Sequence, residues 1–141
     1  MNEEHLLNQL IRHEGLKLFP YHCSENFLTI GVGRNLDSVG ISEEEARFLL
    51  ANDVKRVKAD LDRKVPWWRQ LSEARQIVMI DMCFNLGIGS LMKFKNALSC
   101  IESGDFVQAR EEILDSRYAR QVKGRAVALA DAMRDDTLVE V

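Results

Sequence analysis

Residues 14–33 read EGLKLFPYHCSENFLTIGVG. The stretch opens on Glu14, places Cys23 and Thr29 further along, and closes on Gly31-Val32-Gly33. The run NFLTIGVG is apolar and β-branched and is punctuated by glycine. That is the pattern of a short strand entering a tight turn, with YHCSEN as the turn before it. A hairpin or three-stranded sheet is therefore expected between residues 17 and 36. No other part of the chain carries a convincing β signal.

Working outward, residues 3–14 place Leu6, Leu7, Leu10 and Ile11 on one helical face, and Gly15 follows as a C-terminal cap. Glu14 then falls in the last turn, where the free carbonyls disfavour a carboxylate. It is a poor place for a structural glutamate unless a cation meets it. Downstream the pattern is helical. Ser42 and Glu45 form a capping box, and Leu49, Leu50, Val54, Val57 and Leu61 carry an apolar face to about Val65. VPWW breaks that helix. Ser72 caps the next, which runs through Leu86. Its segment IVMIDMCF is apolar nearly all round and reads as a buried central helix. Further helices are expected near 90–101, 105–114, 117–122 and 125–134.

These elements predict an α+β, mostly α fold within a single domain over 1–141. A small α/β lobe spans about 12–50. A larger helical lobe takes about 1–11 and 60–141, and a helix over about 42–65 joins the two. There are no internal repeats or low-complexity segments.

The composition narrows the function. The 141 residues are 46% hydrophobic and 29% charged, with a net charge of −3. A nucleic-acid module would show a basic surplus instead. The start, MNEEHLLNQLIRHEG, has no apolar leader pattern, and no stretch is long and apolar enough for membrane insertion. Cys23, Cys83 and Cys100 lack metal-type spacing, so free thiols are expected. Cys83 and Cys100 lie in apolar helical patterns and read as core residues.

The 14–33 segment resembles the active-site segment of phage lysozymes, the endolysins of glycoside hydrolase family 24. The motif of that family is Glu, eight residues, Asp or Cys, five residues, Thr, and Glu14, Cys23 and Thr29 share its spacing. TIGVG is similar to the family's Thr-Ile-Gly-x-Gly. FNLGIGSLMKFKNAL and SRYARQVKGRA are similar to two further family elements. The resemblance runs from about residue 6 to about residue 132 and implies a lysozyme-like two-lobe fold.

The chemistry of the three residues fits glycoside hydrolysis. One group must protonate the leaving oxygen, and another must activate water or stabilise the developing oxocarbenium charge. Glu14 suits the acid. Thr29 can donate to and accept from a water. Cys23, as thiolate, could serve as base, electrostatic stabiliser or nucleophile, and the residues alone leave these open. Gly31 and Gly33 read as backbone devices for a bend or a close approach.

The resemblance implies more. Asn35, Phe84 and Asn85 would contact substrate. Arg125 would pair with Glu14. From charge alone, the basic group Arg117, Arg120, Lys123 and Arg125 reads either as a face toward acidic peptidoglycan or as a solvated surface. The implied activity is cleavage of the β-1,4 link between N-acetylmuramic acid and N-acetylglucosamine by a monomer needing no metal or organic cofactor. The protein would accumulate in the host cytoplasm and reach the periplasm and wall at lysis through a holin-type pore. The alternative is a wall-binding module that kept the fold and lost catalysis. Two departures stand out. The connection RNLDSVGI is short, which predicts a reduced small lobe. Arg34 replaces a common histidine, with Asp37 or Glu25 as its nearest candidate partners.

Overall fold

The computed structural model describes all residues 1–141. Helix α1 (Glu3–Glu14) starts where the Asn2 side chain accepts from the His5 amide, and it ends at Gly15 (φ 81°), whose N–H returns to the Ile11 carbonyl. Strands β1 (Lys17–His22), β2 (Leu28–Gly31) and β3 (Arg34–Asn35) follow as an antiparallel sheet in the order β1-β2-β3. The sheet falls where the apolar, β-branched run and its glycines predicted it. Lys17 faces Gly31 and Tyr21 faces Thr29, so the register is broken along β1 between these pairs. Pro20 sits in that irregular stretch, where its missing N–H costs no ladder bond.

Helix α2 (Glu43–Lys64) begins with the predicted capping box: the Ser42 amide donates to Glu45 Oε1 (2.9 Å) and the Glu45 amide to Ser42 Oγ (3.1 Å). A 3-10 turn (Pro66–Gln70) and helices α3 (Glu73–Leu86), α4 (Ile88–Leu91), α5 (Lys95–Ser103), α6 (Phe106–Leu114), α7 (Arg117–Val122) and α8 (Gly124–Asp135) complete the chain. The fold is α+β and mostly α, as expected. The single helix expected over 90–101 is two helices. The chain turns at Met92–Phe94, where Lys93 and Phe94 donate to Ser90 and Leu91. The Phe94 ring then packs on Tyr118, with centroids 6.0 Å apart.

Two compact units result, Met1–Leu49 and Leu50–Val141, with the division inside α2. Helix α1 groups with the strands, whereas the expectation put residues 1–11 with the helices. In the second unit the core gathers Val57 and Leu61 of α2, Trp68, the Val78, Met79, Met82 and Cys83 stripe of α3, and Leu129 and Met133 of α8. Helix α3 is buried on this one stripe, not all round. Ile77 and Phe84 lie on its open side at 42% and 43% exposure. Arg75 donates to the carbonyls of Met133 and Arg134 (2.7 and 3.1 Å), tying α3 to the C-terminal end of α8 and satisfying carbonyls that a helix end leaves free. No helix is long and apolar enough to cross a membrane.

Candidate active site

The sequence-derived residues fall into two groups, one in each unit. Glu14, Cys23, Thr29, Gly31, Gly33 and Asn35 belong to the first, and Phe84, Asn85 and Arg125 to the second.

In the first unit Glu14 ends α1 and is exposed. No side chain of this unit donates to its carboxylate. Its close neighbour is the turn between β2 and β3: a Cβ built on Gly33 would lie 2.8 Å from Glu14 Oε2. The acid and the Gly31-Val32-Gly33 turn, separate in sequence, are thus in contact.

Cys23 follows β1 in the tight turn that leads to β2. Its amide donates to the Phe27 carbonyl (3.0 Å), and its carbonyl accepts from Asn26 (2.8 Å), a residue at positive φ (65°). This folding of residues 23–27 aims backbone N–H groups at the sulfur. The thiol pKa is lowered from its usual value, first by the Phe27 amide and then by the Glu25 amide. Burial opposes the shift, the Thr29 hydroxyl adds to it, and the Glu25 charge opposes it. Hydrogen bonds to the sulfur thus make the thiol easier to ionise than a free cysteine.

Thr29 is the one buried residue of the first unit, at 4% exposure. Its Oγ1 donates to the Phe27 carbonyl (2.8 Å). A hydroxyl has a single proton, so that bond competes with donation to the sulfur. Thr29 and Cys23 are therefore a coupled pair sharing Phe27 as a partner. Asn35 lies opposite Thr29 in the β2–β3 ladder, and its side-chain oxygen caps the next turn by accepting from the Ser38 amide (3.1 Å).

Arg34 corrects one expectation. Its partner is neither Asp37 nor Glu25. It is Glu45, held by two guanidinium contacts of 2.9 Å each, while a third bond of 3.0 Å goes to the Gly40 carbonyl. Asp37 instead accepts from the Leu28 amide (2.7 Å). The Arg34 contact, followed by the Ser42 backbone and hydroxyl, pushes the Glu45 carboxyl down to about 2. One side chain thus closes the capping box and ties the sheet to the start of α2. Nearness in sequence could not reveal it, because the pairing spans the 35–44 loop.

A concavity of about 860 Å³ in the first unit is lined by Leu18, Ile30, Val32, Ile41, Phe48 and Leu49 together with charged side chains, among them Arg34 and Glu45. Neither Glu14, Cys23 nor Thr29 lines it. Its walls are mostly apolar.

In the second unit Arg125 binds α3. Its Nε and one terminal nitrogen both donate to Asp81 Oδ1, at 2.9 and 2.6 Å. Asp81 is thus the partner of Arg125 within its own unit. Asp81, Phe84 and Asn85 stand at helical spacing on one side of α3, and Phe84 and Asn85 are exposed. Asp81 was missed from sequence. The signal was a lone acid inside IVMIDMCF, a run otherwise read as core.

Comparison with known proteins bears on the chain as a whole. The family model described as phage lysozyme matches residues 11–133. The pre-baseplate central spike protein Gp5 of Enterobacteria phage T4 is 28% identical over 149 residues, covering 86% of this chain. The chain spans only 26% of that protein's length. A T4-type lysozyme of Dictyostelium discoideum is 22% identical over 154 residues, covering 89% of this chain and 91% of that protein.

Proposed function

Because the chain belongs to the phage lysozyme family, we propose that it is a glycoside hydrolase that cleaves the β-1,4 bond between N-acetylmuramic acid and N-acetylglucosamine in bacterial peptidoglycan. The observation that carries the reading is the first unit's division of labour. A glutamate with no side-chain donor in its unit stands against the glycine turn, and a thiol whose pKa is lowered by backbone N–H groups stands in the turn before β2.

Glu14 gives its proton to the departing glycosidic oxygen. Water attacks the anomeric carbon from the opposite face, and its proton passes to the Cys23 sulfur. The balance is one water consumed and one glycosidic bond broken. Thr29, a neutral donor and acceptor, helps to hold the attacking water beside the sulfur. Its hydroxyl serves the sulfur, turning from the Phe27 carbonyl as the charge on sulfur requires. In the second unit Phe84 and Asn85 expose an aromatic face and an amide, and Asp81 holds Arg125 beside them on α3. The protein acts as an endolysin, held in the host cytoplasm until a holin-type pore admits it to the wall. The second reading is a wall-binding module without activity.

Turbidity clearing of chloroform-treated Gram-negative cells separates the two. Glu14→Gln should lose roughly 10²–10⁴-fold in rate while unfolding like the parent. Cys23→Ala should lose much of the activity, and Cys23→Asp should retain a substantial part. The parent's rate should rise with pH as the thiolate forms, below the ordinary thiol range near ~8.5. The Asp variant should already be active in acid. Activity in Glu14→Gln within a few-fold of the parent would overturn the assignment, and an inert parent would favour the binding module.

A further inference from the structure

Gly31 and Gly33 bracket the turn between β2 and β3, and both sit at left-handed φ, 68° and 66°. Backbone conformation alone would account for both. Their surroundings differ. A Cβ on Gly31 meets nothing within 4 Å. A Cβ on Gly33 would stand 2.8 Å from Glu14 Oε2, 3.2 Å from Cδ and 3.4 Å from Cγ. The whole carboxyl end of Glu14 lies along the bare Cα of Gly33.

We propose that Gly33 is a positioning residue for Glu14: the turn backbone forms a wall against the glutamate side chain and fixes where its carboxyl group sits. The proposal rests on Glu14 being the reacting acid. The last turn of α1 supplies no other restraint. Glu14 is exposed, no side chain of its unit donates to it, and the helix ends at the next residue, Gly15. An unrestrained glutamate samples several rotamers, and few of them carry its oxygen to one fixed point. Contact with the turn removes the rotamers that would pass through it. Because β2 and β3 hold the turn through the Thr29–Asn35 and Ile30–Arg34 pairs, the position of the acid is set by the sheet as well as by its own helix.

The contact also predicts how a substitution fails. The group that a methyl at position 33 would meet is the far end of an exposed, flexible side chain. Glu14 would swing aside, and the fold would bear only the backbone strain. Displacing a reacting group by about 1 Å can cost on the order of 10²-fold in rate. A loss of catalysis larger than the loss of stability is therefore the signature.

The test compares Gly33→Ala with Gly40→Ala. Gly40 also has left-handed φ (62°), with open space where its Cβ would be, so it reports strain without the clash. Both variants should lose similar stability. Gly33→Ala should fall by 10-fold to 10²-fold in kcat on soluble peptidoglycan fragments with little change in KM, and Gly40→Ala should stay within a few-fold of the parent. Equal activity losses in the two variants, or a Gly33→Ala enzyme as active as the parent, would overturn the proposal. A second measurement does not depend on catalysis. Proton–proton NOEs from the Gly33 α-protons to the Glu14 γ-protons should be present in the parent, and their absence would overturn the contact itself. If Glu14→Gln proves active while those NOEs are seen, the functional reading fails and the packing stands.

Discussion

The two units of this chain are held together by different means. Every buried hydrophobic residue, from Val57 to Met133, lies in the helical unit. In the first unit only Thr29 is buried, while Leu18, Phe19 and Phe48 stand 77%, 83% and 70% exposed. The helical unit is stabilised by apolar burial, which is non-directional and scales with area. The first unit is specified by directional contacts: the β-ladder, the Cys23–Phe27 turn, the capping box and the Arg34–Glu45 pair. The comparison teaches why the acid and the thiol sit where they do. Directional contacts fix individual atoms, and proton transfer needs atoms fixed more than it needs a core.

The difference can be broken most directly in the core. Met79→Ala removes a fully buried side chain of α3 and should cost about 2–5 kcal/mol of stability. Phe48→Ala removes an exposed ring and should change stability by no more than about 0.5 kcal/mol. Denaturant unfolding followed by far-ultraviolet circular dichroism measures both. A cost for Phe48→Ala as large as that for Met79→Ala would erase the distinction.

Acid should act on the first unit through Glu45. Its folded carboxyl is pushed down to about 2, chiefly by Arg34, below the unfolded glutamate value of about 4.3. The unfolded state therefore binds the proton first. The contribution of the pair is fully present above the unfolded value and is lost as pH falls through the folded one. Amide protection in residues 28–45, corrected for intrinsic exchange, should decline from about pH 4 toward pH 2 in the parent. In Glu45→Gln it should be lower at neutral pH and flatter across that window. An identical pH response in the two proteins would remove Arg34–Glu45 from the account.

The smallest effect is expected at Tyr118. Its hydroxyl is buried without a hydrogen-bond partner, and burial raises its pKa. An unpaired buried hydroxyl costs free energy, so Tyr118→Phe should be neutral or stabilising by up to about 1 kcal/mol. Thermal unfolding would show it. A clear destabilisation would mean that the hydroxyl has a partner in solution, and that the helical core is more polar than its packing indicates.

Much of this was legible in the residues because the signals were local. The capping box at Ser42 and Glu45, the Gly15 stop and the glycine-flanked strand each depend on a few neighbouring positions, and each appears where the pattern put it. The helical periodicities and the one glycine-punctuated strand carried the fold class, and the motif Glu14, Cys23, Thr29 carried the family. The break at Met92–Phe94 and the one-sided burial of α3 were not legible. Both depend on what packs against the segment, and an all-apolar run looks the same whether one face is covered or several.

By itself the sequence determined the elements, their order, the family and the residue types that could handle a proton. Tertiary structure decided the partners. Arg34 joins Glu45 across a loop, Arg125 joins Asp81 across 44 positions, and Gly33 meets Glu14 from the far side of a hairpin. The reason is physical. Hydrogen-bonding patterns of helices and turns are short-ranged along the chain, so composition and spacing encode them. A salt bridge or a van der Waals contact depends on where two distant backbones come to rest, and only the folded chain fixes that.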